Sequence, residues 1–176
     1  MDKKNQQEPP QAQIDSVIAL YSNGQVQEAL DSVEALIKDY PNEAMLHNIS
    51  GACYAGLGQL DAAVKRYEKA LAMKPDYAEA HNNLGVTLQD LGQLDTAVKN
   101  YEKALSIKPD YAEAHNNLGN AFKKLSQLDI AVKSYEKALT IQPDFVEAFN
   151  NLGIVLKELA QLDIAVKSYE KLLTIR

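Results

Sequence analysis

The stretch Ala-Glu-Ala-His-Asn-Asn-Leu-Gly at residues 78–85 recurs unchanged at residues 112–119. When residues 78–111 are set over residues 112–145 without a gap, 23 of the 34 positions are identical. Prolines mark the same period at Pro41, Pro75, Pro109 and Pro143. A fixed period of this size is typical of chains built from repeated supersecondary units. The register predicts repeats at about 10–43, 44–77, 78–111, 112–145 and 146–176.

Each repeat carries two runs of helical apolar spacing. In the third repeat these are Ala80, Leu84, Leu88 and Leu91, followed by Leu94, Ala97, Val98, Tyr101, Ala104, Leu105 and Ile107. Spacing of three and four residues predicts two amphipathic helices. Between them Gly92 is expected to end the first helix in a left-handed conformation, and Asp95 to cap the second.

The punctuation of the repeats gives further local predictions. Ser126 and Ala160 replace the turn glycine in the fourth and fifth repeats, and we expect both turns to survive at a cost of about 1 kcal/mol each. An aspartate follows each Lys-Pro or Gln-Pro pair and stands three residues before a glutamate. This spacing predicts capping boxes in which Asp76, Asp110 and Asp144 pair with Glu79, Glu113 and Glu147.

These residues resemble the tetratricopeptide repeat (TPR) family from about residue 11 onward. The family's Leu-Gly appears as Leu84-Gly85, Leu118-Gly119 and Leu152-Gly153, its central alanine as Ala63, Ala97, Ala131 and Ala165, and its aromatic as Tyr67, Tyr101, Tyr135 and Tyr169. The resemblance implies an all-α fold, a right-handed α-solenoid of five helix-turn-helix hairpins. The first hairpin is divergent and the last is truncated just before its proline. Residues 1–10 are expected to be a disordered tail and residues 11–176 the solenoid domain.

The same resemblance implies that first helices line a concave groove, so we expect function there. Two columns of asparagines recur on these helices. The first asparagine column is Asn83, Asn117 and Asn151, and the second asparagine column is Asn48, Asn82, Asn116 and Asn150. A row of amides is suited to holding the backbone of an extended peptide. The first asparagine column looks like the asparagine ladder of O-linked N-acetylglucosamine transferase-type arrays. The predicted groove residues are Asn83, Asn117, Asn151, Asn82, Asn116, Asn150, Asn120, Gln89, Lys123 and Lys157.

Several alternatives to peptide binding stay open. The asparagines can instead cap turns, bond the neighbouring repeat or keep the surface wet, and the second column can face the helix interface. Lys123, Lys124 and Lys157 can meet an acidic side chain or a C-terminal carboxylate, or be solvated. Copies of the chain can associate through an exposed C-terminal repeat flank. The chain can also be the N-terminal, substrate-recruiting arm of a larger enzyme such as a glycosyltransferase.

Composition narrows the class of function. Asp and Glu number 24 against 18 Lys and Arg, without a basic stripe, so nucleic acid is not an expected partner. The single cysteine, Cys53, excludes an internal disulfide and is expected to be a small buried hydrophobe. No apolar run is long enough for a signal peptide or a membrane span. These features favour a cytoplasmic protein that binds protein or peptide.

A catalytic or metal-dependent function is not expected. His47, His81 and His115 occupy equivalent positions in successive repeats. Such positions lie about 8–10 Å apart or more, whereas zinc ligands lie about 2 Å from the metal. Packed histidines are therefore the preferred interpretation. No phosphate loop, nucleophile elbow or Cys/His dyad is apparent, so the sequence predicts no enzyme activity, cofactor or metal.

Overall fold

The computed structural model describes residues 9–173, with side chains described for residues 9–163. Over this range the chain is all-α and contains no strand. The helices are α1 (Gln11–Ser22), α2 (Val26–Asp39), α3 (Ala44–Gly56), α4 (Leu60–Met73), α5 (Ala78–Asp90), α6 (Leu94–Ile107), α7 (Ala112–Lys124), α8 (Leu128–Ile141) and α9 (Val146–Leu173). The predicted all-α helical-repeat fold is confirmed. The predicted N-terminal tail lies, over residues 1–8, outside the described residues.

The chain divides into two compact units, residues 1–107 and residues 108–176. In the first unit α1 to α6 form three successive hairpins, and α3 packs against both α2 and α4. Their apolar faces bury a core that includes Ile14, Val17, Leu30, Val33, Ile37, Leu46 and Cys53. The divergent first repeat is therefore a complete hairpin with its own buried side chains.

Left-handed residues end the first helix of each of the four hairpins. Gly24, Gly58 and Gly92 have φ of 80°, 73° and 75°, a conformation that glycine adopts without a Cβ penalty. Ser126 adopts the same conformation with φ of 60°. The turn at Ser126 therefore survives the loss of glycine, as the sequence predicts.

A glycine of each middle hairpin receives a tyrosine ring. A Cβ added to Gly51, Gly85 or Gly119 would lie 2.6 Å from a ring carbon of Tyr67, Tyr101 or Tyr135, respectively. Two of these glycines belong to the Leu-Gly pairs. The tyrosines are the aromatic residues that recur every 34 positions in the second helices. The repeat therefore needs glycine here because only glycine lets the second helix come this close.

The second unit contains one hairpin and a long helix. α7 pairs with α8, and α9 packs against both. Ala131, Tyr135 and Val155 form its buried cluster. The predicted turn at Ala160 is wrong, because α9 continues through this position to Leu173. Alanine is the strongest helix former and pays a penalty in the left-handed region, so the chain stays helical there.

The predicted capping boxes at Asp76 and Asp110 are also wrong. The N-caps of α5 and α7 are Tyr77 and Tyr111, and neither helix has a side-chain capping hydrogen bond. Asp76 and Asp110 thus lie one residue too early to close a capping box. Asp95 is the second residue of α6, inside its first turn rather than at its cap. These acidic residues still lie next to helix N-termini, where negative charge is favourable.

Candidate peptide-binding face

The second asparagine column lies partly inside the helix packing. Asn82 is 0% exposed and Asn116 is 1% exposed. Asn48 is half-buried, whereas Asn150 is exposed. A ligand on the surface does not reach Asn82 or Asn116, because both side chains face neighbouring helices. These two residues therefore do not lie on an accessible groove wall.

The first asparagine column links successive first helices within each unit. In the first unit Asn83 donates from Nδ2 to Oδ1 of Asn48 over 3.2 Å. In the second unit Asn151 donates from Nδ2 to Oδ1 of Asn116 over 3.0 Å. Both acceptors belong to the second column and stand 35 residues earlier. In each unit, therefore, an amide of the first column donates a hydrogen bond to an amide of the second column in the preceding repeat.

The oxygens of these amides can still accept hydrogen bonds. Asn83 and Asn151 are half-buried, and within the described residues their Oδ1 atoms accept no hydrogen bond. A carboxamide oxygen has two acceptor positions. Asn117 is also half-buried and already takes part in a polar interaction. Asn83 and Asn151 are therefore the predicted residues best placed to accept hydrogen bonds from a bound chain.

The side-chain amides of Asn120 and Gln89 differ in their hydrogen bonding. Asn120 accepts a hydrogen bond of 2.8 Å from the Tyr135 hydroxyl on the following helix. Burial, with a smaller contribution from Glu147 and Glu158, raises the pKa of Tyr135 to about 12, so this hydroxyl keeps its proton. Gln89 is half-buried, and among the described residues its buried Oε1 has no partner. Asn120 is thus occupied by an internal contact, and the Gln89 oxygen is buried away from a ligand on the surface.

The two predicted lysines have different surroundings. Lys123 lies 3.7 Å from Glu158 of α9, and both side chains are partly exposed. A pair this exposed contributes little to stability, about 0–1 kcal/mol, but it offsets the lysine's charge. Lys157 is exposed. Lys157 is therefore the more accessible cation for an acidic group on a ligand.

The histidines have a shared structural role that the sequence did not reveal. Nε2 of each lies close to the carbonyl oxygen of the proline six residues earlier: His47 to Pro41 at 3.0 Å, His81 to Pro75 at 3.1 Å and His115 to Pro109 at 3.0 Å. A neutral imidazole donates this bond from Nε2. The histidines therefore tie the start of each first helix to the turn before it. The fifth repeat has Phe149 here, which cannot donate such a bond.

The sequence also did not predict a polar cluster that surrounds His47. Arg66 donates to Glu34 at 2.5 Å and approaches Nδ1 of His47 at 3.4 Å, while Ser50 donates to Glu34 at 2.7 Å. Burial, and the positive charges of Lys69 and Arg66, lower the pKa of His47. Equivalents of Arg66 in the later repeats are Asn100 and Ser134, so the period carries no signal for this cluster. Its contacts are internal, and they join α2, α3 and α4.

The thiol and the possible metal ligands of the described residues have the following surroundings. Cys53 is buried, as predicted, and burial raises the pKa of its thiol to about 11, so the thiol is protonated at neutral pH. Across residues 9–163 no group of three or more His, Cys, Asp or Glu side chains could hold a metal. In the part of the chain that the structure describes, no helix has the length and apolarity needed to cross a bilayer.

A cavity of about 570 Å³ lies away from the asparagine columns. Its walls come from α4, α5 and α6 and include Asp61, Lys65, Glu68 and Asn100. Its lining also includes Leu84 and Leu88 of α5 and Leu91, which directly follows that helix. The cavity therefore lies among α4, α5 and α6, and none of the predicted groove residues lines it.

Comparison with known proteins identifies the repeats. A family model described as "TPR repeat" matches residues 51–92 and 88–126. Models described as "Tetratricopeptide repeat" match residues 112–145 and residues 134–167. Together the matched segments run from residue 51 to residue 167, which is more than half of the chain. No curated protein sequence matches the chain significantly.

Solved structures share the fold. A structure described as MamA 41-end from Desulfovibrio magneticus RS-1 has a TM-score of 0.75 at 21% identity, covering 98% of this chain and 95% of that chain. YrrB, described as a TPR protein with an unusual peptide-binding site, has a TM-score of 0.68 at 23% identity, covering 79% and 72%. The first TPR of Spaghetti (RPAP3), bound to HSP90 peptide SRMEEVD, has a TM-score of 0.66 at 26% identity, covering 67% and 94%.

These matches concern the repeat itself. The likeness of the asparagine columns to transferase-type arrays stays a prediction, because the matched family models describe the repeat and not the groove. The helical hairpins, the glycine–tyrosine contacts and the matched segments agree on one family. The chain belongs to the tetratricopeptide repeat family.

Proposed function

We propose that this protein is a non-catalytic scaffold for protein–protein interaction, which binds an extended peptide segment on its first-helix faces. Two similar structures support the peptide as ligand class: YrrB is described as having a peptide-binding site, and the first TPR of Spaghetti as bound to a peptide. The proposal applies to the first-helix face of each compact unit separately.

One observation carries the proposal, namely the fixed orientation of Asn83 and Asn151. Each amide donates from Nδ2 to the preceding first helix and leaves Oδ1 as an acceptor. An amide that is already held in place loses little side-chain entropy when a ligand binds. The N–H groups of an extended chain recur at regular distances, so an acceptor on each unit can bind peptide backbone without selecting side chains.

The test begins with a fluorescein-labelled peptide selected from a random library for binding to the intact chain. Asn83→Ala and Asn151→Ala remove the two acceptors. Loss of one neutral hydrogen bond is worth about 1 kcal/mol, so the substitution in the unit that binds the peptide is expected to weaken binding about fivefold in fluorescence anisotropy. Asn42→Ala, an exposed asparagine in the turn between repeats, is the matched control and should leave the Kd unchanged.

A second arm separates backbone recognition from side-chain recognition. Versions of the same peptide, each N-methylated at one backbone amide, lose one donor at a time. We expect at least one position at which N-methylation weakens binding to the natural chain but not to the alanine variants. As a control, thermal unfolding of each variant tests whether the fold is kept after the bond to Asn48 or Asn116 is lost. Unchanged affinity after both substitutions, in folded protein, would exclude the amide mechanism.

A further inference from the structure

An apolar stripe runs along the exposed side of α9. Val146 is 71% exposed, Phe149 is 64% exposed and Leu156 is 49% exposed. Gly153 and Ala160 are also exposed and continue the same spacing of three and four residues. These five residues, here called the α9 stripe, lie on one face of the helix. Large apolar side chains exposed in a row mark an interaction surface.

The equivalent face of α7 is covered in the structure. The residues 34 positions before the stripe include Ala112, Gly119 and Phe122, which are buried or half-buried. α8 packs over them, and the Tyr135 ring fills the space above Gly119. Above Gly153, by contrast, nothing lies within 4 Å among the described atoms. The α9 stripe thus corresponds to the face of α7 that α8 covers.

The sequence that fits this face is present in the chain. Residues 161–171 read Gln-Leu-Asp-Ile-Ala-Val-Lys-Ser-Tyr-Glu-Lys and are identical, letter for letter, to residues 127–137. Residues 127–137 include most of α8, the helix that covers α7. In this register Tyr169 is the equivalent of Tyr135, and Gly153 is the equivalent of Gly119.

Within one chain the continuous helix keeps the two halves apart. α9 runs from Val146 to Leu173 without a turn. A helix rises 1.5 Å per residue, so the backbones of Gly153 and Tyr169 lie about 24 Å apart along its axis. Residues 161–171 therefore cannot cover the stripe of their own helix while α9 is straight.

We propose that the α9 stripe is the docking site for residues 161–171 of a second copy of this chain. The two copies exchange these segments reciprocally, so that Tyr169 of each copy packs above Gly153 of the other. Exchange of identical elements is a low-cost route to a twofold-symmetric dimer, and the contacts exchanged here copy those that α8 makes with α7 within one chain. The replacement of the turn glycine by Ala160 keeps α9 straight and thereby favours exchange over a closed hairpin.

The first test measures mass in solution by light scattering coupled to size exclusion. The natural chain is expected to show twice the monomer mass of 19.4 kDa. Ala160→Gly restores glycine at the turn position and is expected to return the mass to that of one chain. Ala35→Gly places the same substitution at an exposed position inside α2 and should leave the dimer intact. A natural chain that stays monomeric at high concentration would overturn the proposal.

The second test identifies the contact. A chain carrying both Gly153→Cys and Tyr169→Cys is treated with a short bismaleimide and separated under denaturing conditions. Covalent dimers are expected, while the natural chain, with Cys53 buried, should give none. Crosslinks confined to single chains would show a closed hairpin. A dimer in which the two introduced cysteines do not react with each other would show association through another surface. Either result would overturn the proposal.

Discussion

At the residue scale, Gly119 shows how one missing Cβ determines the packing of a hairpin. A Cβ there would lie 2.6 Å from the Tyr135 ring, and the ring is fully buried. The ring or the whole second helix would therefore have to shift to make room for the Cβ. The same pairing of glycine and tyrosine recurs in the two preceding hairpins.

We therefore predict that Gly119→Ala destabilises the chain. Overpacking of a filled site costs about 1–3 kcal/mol, which exceeds the gain of about 1 kcal/mol from replacing glycine by alanine in a helix. Urea unfolding followed by circular dichroism measures the difference. Gly153→Ala, studied in dilute solution where the chain is monomeric, is the matched control. It should be neutral or slightly stabilising, since nothing described lies within 4 Å. Equal losses at both positions would contradict the steric explanation.

The asparagines show where sequence analysis reaches its limit. Their period correctly placed them on first helices. Neighbouring positions on a helix differ by about 100° in direction, so Asn82 and Asn83 both border the predicted face. Only tertiary packing decides that Asn82 is buried and that Asn83 donates to Asn48. The bond from Asn120 to Tyr135 was unpredictable for the same reason, since Val86 and Ile154 occupy its register in neighbouring repeats.

At the element scale, the two turns without glycine behave differently. Ser126 keeps the left-handed conformation with φ of 60°, whereas the chain at Ala160 remains helical. The sequence predicted both turns because the register is the same. The prediction failed at Ala160 because local helix propensity opposes the turn there, and a period alone does not weigh the two effects.

Ser126→Gly is expected to stabilise the hairpin of α7 and α8. A non-glycine residue in the left-handed region costs about 1 kcal/mol, and glycine removes this cost at a turn that already exists. The midpoint of urea unfolding should therefore rise. Ser106→Gly, at an exposed position in the last turn of α6, is the control and should lower the midpoint, because glycine is a weaker helix former than serine. A fall in stability after Ser126→Gly would show that the turn is not strained.

At the scale of the whole molecule, the 34-residue period was sufficient to predict the all-α fold and the helical hairpins. Repeats of this kind contact their neighbours in sequence, so the information that specifies each hairpin is largely local. Contacts that differ from repeat to repeat are not encoded in the period. The cluster of Glu34, Ser50 and Arg66 around His47 is one of these, and it adds a charge-dependent contribution to the stability of the chain.

The pH dependence of unfolding follows from this chemistry. Burial is the main cause that lowers the pKa of His47 and His115 below the ordinary value of 6.5, with contributions from Arg66 and Lys69 for the first and Lys137 for the second. The unfolded chain then binds more protons than the folded chain once the pH drops below that value. The two neutral histidines therefore make their whole contribution to the free energy of unfolding above pH 6.5. This contribution is lost as the pH falls through the lowered pKa values.

We expect the thermal midpoint of the natural chain to decrease when the pH is lowered from about 7.5 to about 5.5. Ordinary carboxylates titrate below this range. The double variant His47→Gln and His115→Gln keeps a neutral donor for the carbonyls of Pro41 and Pro109 but cannot take up a proton. Its midpoint should change less over the same range. The two proteins differ only in these two titratable groups. If the variant lost as much stability on acidification as the natural chain, the histidines would therefore not be the groups responsible.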